Sequence, residues 1–194
     1  DADCSVVTGI ALDHTDWLGS TREAIGFEKA GIFRPQTAAI CADPEPPQSL
    51  LDHAAAVGAD LQVLGCDFGY VDEQTQWQYW GRHEQRRGGL AYPALCGACQ
   101  LRNASVVLAV LDVLMARLPV SAQAIGTGLV EVELPGRFQI LPGQPRIILD
   151  VAHNPQAVSG LAANLDKAGG FNRTIAVVGM LADKDIAGAL VALR

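Results

Sequence analysis

The sequence predicts an α/β protein: a mostly parallel sheet covered by helices, a small antiparallel meander set into it, and a second α/β unit beginning downstream. Three observations carry this reading. Short apolar runs alternate with helical stretches between residues 5 and 64, and such unpunctuated runs are what a strand buried on both faces requires. Aromatic residues in period-two stretches interrupt that rhythm from Asp67 to Ala94. Prolines and glycines then cluster over residues 134–145, ahead of a renewed alternation of apolar run and helix.

Taken in order, the run from Ser5 to Leu12 is the first strand, and it stops at Asp13, His14, Thr15 and Asp16. Arg22 to Gly31 is a short helix ended by its glycine, and Thr37 to Cys41 is the next buried strand. Pro44, Pro46 and Pro47 punctuate. Gln48 to Val57 is then a helix closed by Gly58, and Leu61 to Leu64 a third strand. From Asp67 to Ala94 the aromatics Phe68, Tyr70, Trp77, Tyr79, Trp80 and Tyr92 sit between polar turns. This reads as a β-meander with its rings packed beneath it, in preference to an open stacking platform.

Leu101 to Leu118 carries apolar residues at helical spacing and is closed by Pro119, and Ser121 opens a further helix through Val130. Pro135, Pro142 and Pro145, with Gly136 and Gly143, fall within eleven residues. They predict a linker over 136–145 between a first domain (1–135) and the start of a second (146–194). There Arg146 to Val151 is a strand and Pro155 starts a helix. Thr174 to Val178 is the next strand, and Asp183 caps a last helix through Leu193. That order is the opening half of a Rossmann-like domain.

Composition narrows the function classes. With 49% hydrophobic and 18% charged residues the chain can fill a core, and a formal charge of −7 argues against a nucleic-acid footprint. The one basic cluster, Arg82 to Arg87, reads as an exposed turn. No apolar run is long enough to span a membrane, and Asp1-Ala2-Asp3 lacks the pattern of a signal peptide. Five cysteines, an odd number, suggest reduced thiols and a cytoplasmic protein. Cys96 and Cys99 form a lone CxxC without the second pair a zinc site needs, and are read as coincidence. Both chain ends read as cuts through a longer protein.

His14 follows an apolar strand, at the edge of a parallel sheet where ligands bind. Lys29 lies fifteen residues on, near a helix terminus. By residue type alone, a hydrogen-bonded structural histidine and a solvated helix-end lysine explain the pair as well as a metal or phosphate site does. The wider text is more specific. Leu12-Asp13-His14-Thr15-Asp16-Trp17-Leu18-Gly19 is followed by Arg22 to Phe33 (REAIGFEKAGIF), and then by Gln100-Leu101-Arg102-Asn103-Ala104. Leu134-Pro135-Gly136-Arg137-Phe138-Gln139 and Asp150-Val151-Ala152-His153-Asn154-Pro155 come after these. In this order the motifs resemble the folylpolyglutamate synthase and dihydrofolate synthase family, a branch of the Mur-type ATP-dependent ligases.

The resemblance implies the end of a Mur-ligase-type ATPase domain followed by the start of a Rossmann-like glutamate-ligase domain. It implies a monomeric ligase that adds L-glutamate to dihydropteroate or to folates through an acyl phosphate, with ATP and Mg²⁺ as cofactors and only small molecules as partners. His14 would be a metal ligand, although nitrogen is an unusual choice for so hard a cation. Lys29 would be carbamylated, becoming a carboxylate on a long arm that serves the metal and the chemistry. Asn103 would contact adenine, whose edge an amide matches with donor and acceptor together. Arg137 would reach phosphate bidentately. Asp150, at a strand end, would take the ribose, and His153 would sit beside the nucleotide.

Two departures qualify this. The family's glycine-rich phosphate loop and a metal-binding glutamate upstream are not among these 194 residues. Two rivals stand: a peptidoglycan-type amino-acid ligase, against which the text HTDWLG argues, and a non-catalytic nucleotide-binding module. A dinucleotide oxidoreductase is disfavoured, since no GxGxxG follows a strand and Gly126-Thr127-Gly128 lies in a helical stretch.

Overall fold

A computed structural model of the 194-residue chain describes residues 2–13, 15–97, 99–170 and 172–193, with the side chain of Asp16 left out. Two compact units emerge: residues 1–93 with 101–131, and residues 94–100 with 132–194. In the first, β1 (Cys4–Val7), β2 (Ala38–Cys41) and β3 (Asp60–Val63) form a parallel sheet in that order, with Cys4 opposite Ala38 and Ala38 opposite Asp60. The crossovers hold α1 (Thr15–Leu18), α2 (Arg22–Ala30) and α3 (Gln48–Val57).

The central strand explains the apolar text of this region. Ala39 and Cys41 are buried in one cluster with Ile25, Leu50 and Ala54, while Ile40 and Ala42 are buried in another with Phe68, Trp77 and Leu108. A strand covered on both faces has no polar side to alternate with. Both helices are terminated by local chemistry. Thr21 Oγ1 accepts the Ala24 N–H at 3.1 Å to cap α2. Gly58, at φ 70°, closes α3 in the left-handed conformation that glycine adopts without strain.

The meander is β4 (Gly69–Asp72), β5 (Trp77–Trp80) and β6 (Arg86–Leu90), all antiparallel. Phe68, Trp77 and Tyr79 are fully buried beneath it, as expected of core aromatics, and Trp77 Nε1 donates to the Ala91 carbonyl at 2.8 Å. The basic cluster differs from expectation. His83 and Glu84 are exposed at the turn, but Arg82 and Arg87 point inward. Arg82 donates to Asp67 Oδ1 (3.0 Å), Asp60 Oδ1 (2.6 Å) and the Leu61 carbonyl (2.6 Å), fastening the meander to β3. Arg87 pairs with Asp112. Partly buried arginines are kept where carboxylates take their donors, which the local sequence does not reveal.

The long helix α4 (Gln100–Leu114) buries Leu101, Ala104, Ser105, Leu108 and Ala109 against the sheet and meander. It ends four residues before the predicted Leu118, and α5 (Ala122–Glu131) follows, capped by Ser121 Oγ on the Ala124 N–H at 3.1 Å.

In the second unit, β7 (Gln139–Leu141) and β8 (Ile147–Leu149) form an antiparallel pair, so a strand lies inside the stretch read as linker. α6 (Pro155–Ala168) starts at its proline as predicted, and α7 is Ile186–Val191. Two expectations are corrected. Residues 174–178 are not a strand: Ile175 is 73% and Val177 97% exposed. An apolar run becomes a strand only when a neighbour takes up its backbone groups, and among the described residues none does. The cap of the last helix is Asp185, not Asp183; its Oδ1 accepts the Gly188 N–H at 2.9 Å. Among the described residues no helix is long and apolar enough to cross a membrane.

Candidate functional site

In the first unit the sequence points to the carboxyl end of β1. The chain leaves that strand through Gly9 and Ile10, and Asp43, just past β2, receives it. Asp43 is only 6% exposed. Its Oδ2 accepts the Ile10 N–H at 2.8 Å and Arg22 Nη2 at 3.0 Å, and its Oδ1 accepts the Glu45 N–H at 3.0 Å. One buried carboxylate therefore anchors both ends of the segment from residue 10 to residue 22, and each bond offsets the cost of burying its charge. His14 lies in this segment but outside the described residues.

Lys29 is partly buried in the last turn of α2. The position of that helix is set from its first turn. Glu23 accepts the backbone N–H groups of Gln48 (3.2 Å) and Ser49 (2.8 Å), and Ser49 Oγ donates to the Glu23 carbonyl at 2.6 Å. Glu23 thereby serves the amino terminus of α3, and the hydrogen bonds from Ser49 hold its carboxyl below the usual range. Asn103 is on the exposed side of the first turn of α4. Among the described residues no group of three or more His, Cys, Asp or Glu is placed to hold a metal ion. Cys96 and Cys99 are exposed and in no disulfide, on either side of Ala98, which is outside the described residues. Cys41 is buried, and that burial pushes its thiol up, away from redox chemistry.

In the second unit the predicted residues converge on the end of β8. Asp150 Oδ2 accepts the Phe138 N–H and Oδ1 the Ala152 N–H, both at 2.8 Å. The Val151 N–H donates to the Gly136 carbonyl at 2.9 Å. These bonds hold a tight turn in which Phe138 is buried at φ 48° while Arg137 stays exposed. A bulky residue adopts that conformation only when its surroundings impose it. His153 is exposed, with Nδ1 2.9 Å from the Val151 carbonyl. In the neutral ring that contact makes Nδ1 the donor and Nε2 the acceptor. Asn154 caps α6, accepting the Ala157 N–H at 2.8 Å.

Sequence reasoning missed Asp43 and Glu23. A usable signal existed for Asp43: an acid just past a buried parallel strand, the same argument that singled out Asp150.

Comparison with known proteins gives four findings. The family model "Mur ligase, glutamate ligase domain" matches residues 136–194. The dihydrofolate synthase/folylpolyglutamate synthase of Escherichia coli K12 is 45% identical over 194 residues, covering 100% of this chain and 44% of that protein. Among solved structures, E. coli FolC in complex with DHPP and ADP superposes with a TM-score of 0.91 at 45% identity, covering 100% of this chain and 45% of that one. A bifunctional folylpolyglutamate synthase/dihydrofolate synthase with Mn, AMPPNP and L-glutamate bound gives 0.87 at 45% identity, again over 100% and 45%. The chain thus spans under half the length of these relatives.

Proposed function

Starting from a chain homologous over its whole length to the dihydrofolate synthase/folylpolyglutamate synthases, we propose that the complete protein carrying it is an ATP-dependent ligase. It adds L-glutamate to dihydropteroate or to the glutamate tail of a folate. The single observation that carries this reading is the 45% identity to such an enzyme over all 194 residues, and so over both units.

The chemistry follows from the substrates. A carboxylate attacks the γ-phosphorus of ATP, forming an acyl phosphate and releasing ADP. The amine of glutamate then attacks the activated carbonyl and orthophosphate leaves. Such a reaction depends on positioning and on neutralising phosphate charge.

In this reading Asp150 and His153 hold the nucleotide in the second unit, and Arg137 meets its phosphates. Asp150 fits the role chemically. Each of its oxygens already accepts one N–H, and a carboxylate oxygen has a second lone pair for a ribose hydroxyl. Asn103 contacts the base. His14 and Lys29 are assigned to Mg²⁺, with Lys29 carrying a carbamate formed when its neutral amine captures CO₂. When bound, the ion supplies charge neutralisation at the transferring phosphoryl group. We assign the protein to the cytoplasm as a monomer. The test is to incubate the complete protein with ATP, Mg²⁺, L-glutamate and either dihydropteroate or a folate. A product one glutamyl residue heavier is expected; modification of a muramyl-peptide precursor in its place would move the protein to the peptidoglycan ligases.

A further inference from the structure

We propose that Arg102 is an oxyanion ligand at the carboxyl end of β1. The inference rests on the ligase reading above and gives a role to a residue to which that reading assigns none. Arg102 stands in the first turn of α4, and its side chain reaches the point where the chain leaves β1: its Nη2 lies 3.9 Å from where a Cβ on Gly9 would sit. Its Nε is buried and has no hydrogen-bond partner among the described residues.

That is an uncommon state for a guanidinium. A buried N–H left unmade keeps its full desolvation cost, so native structures almost always supply it with an acceptor. Asp43, the buried carboxylate beside Ile10, takes its hydrogen bonds from Ile10, Arg22 and Glu45 and not from Arg102. A side chain at position 9 would have Arg102 Nη2 as its nearest neighbour, and Gly9 supplies none. Ligands of open α/β sheets bind at strand ends. The edge formed by Nη2 beside Gly9 and the unpartnered Nε behind it is matched to a phosphate or carboxylate group, which takes two parallel N–H bonds. The anions of this reaction include the polyphosphate of the nucleotide and the carboxylate of the acceptor substrate.

The experiment is direct binding by calorimetry to the complete protein, wild type, Arg102→Met and Arg102→Lys, with ADP, adenosine and dihydropteroate as probes. Methionine keeps the apolar stem and removes the charge. If the oxyanion is a nucleotide phosphate, Arg102→Met weakens ADP at least tenfold and leaves adenosine within twofold. If it is the substrate carboxylate, dihydropteroate weakens at least tenfold and ADP holds. Lysine retains charge without the fork and falls between wild type and methionine, so it carries the test should Arg102→Met not fold. Wild-type affinity for all three probes in both variants overturns the inference, as does equal loss of ADP and adenosine, which marks a structural role. A wild-type protein that binds neither ADP nor dihydropteroate removes the ligase reading itself.

Discussion

Asp150 takes the backbone N–H of Phe138 at 2.8 Å, across the turn that presents Arg137. The acid assigned to the nucleotide therefore also shapes the loop that carries Arg137, the arginine proposed to meet its phosphates. Substituting it should have two effects. Asp150→Ala leaves two N–H donors without their acceptor, at about 1–3 kcal/mol each where water cannot replace it. We expect a lower Tm together with at least tenfold weaker ATP binding. Asp150→Asn keeps one acceptor oxygen and should fall between. Unchanged nucleotide affinity in a destabilised Asp150→Ala would reduce Asp150 to a structural role.

Asp43 makes the corresponding bracket in the first unit, and the prediction there is chiefly mechanical. Asp43→Ala removes the acceptor of a buried Ile10 N–H and of Arg22. It should cost about 1–3 kcal/mol, read as a lower denaturation midpoint. Hydrogen exchange should rise over residues 10–22 and remain unchanged in the meander. Uniform exchange changes would mean that the carboxylate does not anchor this segment in particular.

Lys29 gives the sharpest chemical test. As a carbamate it is negative, so Lys29→Arg reverses the local charge and should abolish ligase activity in the complete protein. Lys29→Ala should be equally poor and partly rescued by short carboxylic acids, which can fill the space of the missing group. Retained activity in Lys29→Arg, or rescue of the alanine variant by amines and not by acids, removes the carbamate.

Tyr79 supplies a pH prediction. Its hydroxyl donates to Asp112 at 2.8 Å. Burial first, and then that hydrogen bond, raise its pKa well above the ordinary value of 10.0. In the unfolded chain the phenol ionises near 10.0 while in the native state it stays protonated. The unfolded state thus binds fewer protons above that pH, and stability falls as pH rises through this range. The contribution is fully present below it. Tyr79→Phe should flatten this alkaline slope and cost about 0.5–1.5 kcal/mol at neutral pH for the lost hydrogen bond. An identical slope in both proteins would show that other groups set it.

The parts of the fold legible in the sequence are those fixed by local chemistry. The α3 helix runs from Gln48 to Val57 as its periodicity and Gly58 require, and α6 begins at Pro155. The buried aromatics of the meander follow from their alternation. What the sequence hides depends on distant partners. Residues 174–178 have strand composition, but strand formation belongs to a pair of segments, not to one. Asp183 and Asp185 are equally good caps by residue type, and only the intervening turn selects Asp185. Asp43 binds Ile10 across a separation of 33 residues, which no local pattern encodes. At the site, Asp150 and its loop were visible because strand-end acids recur in α/β sheets. The inward turn of Arg82 and Arg87 was not visible, because their carboxylate partners lie 15 to 25 residues away.

The phosphate-loop motif is absent from these 194 residues, which leads to a prediction for the chain by itself. Asn103, Arg137, Asp150 and His153 without a triphosphate cradle should bind ATP weakly and release no phosphate. Micromolar affinity in a titration of this chain would mean that those side chains suffice alone.

The most direct test of the central claim is orthophosphate release by the complete protein with each substrate omitted in turn. ATP-dependent release is predicted only when L-glutamate and either dihydropteroate or a folate are present together, with one glutamate joined per phosphate. Release that ignores both folate-type substrates, or that responds instead to a muramyl-peptide precursor, would contradict the account.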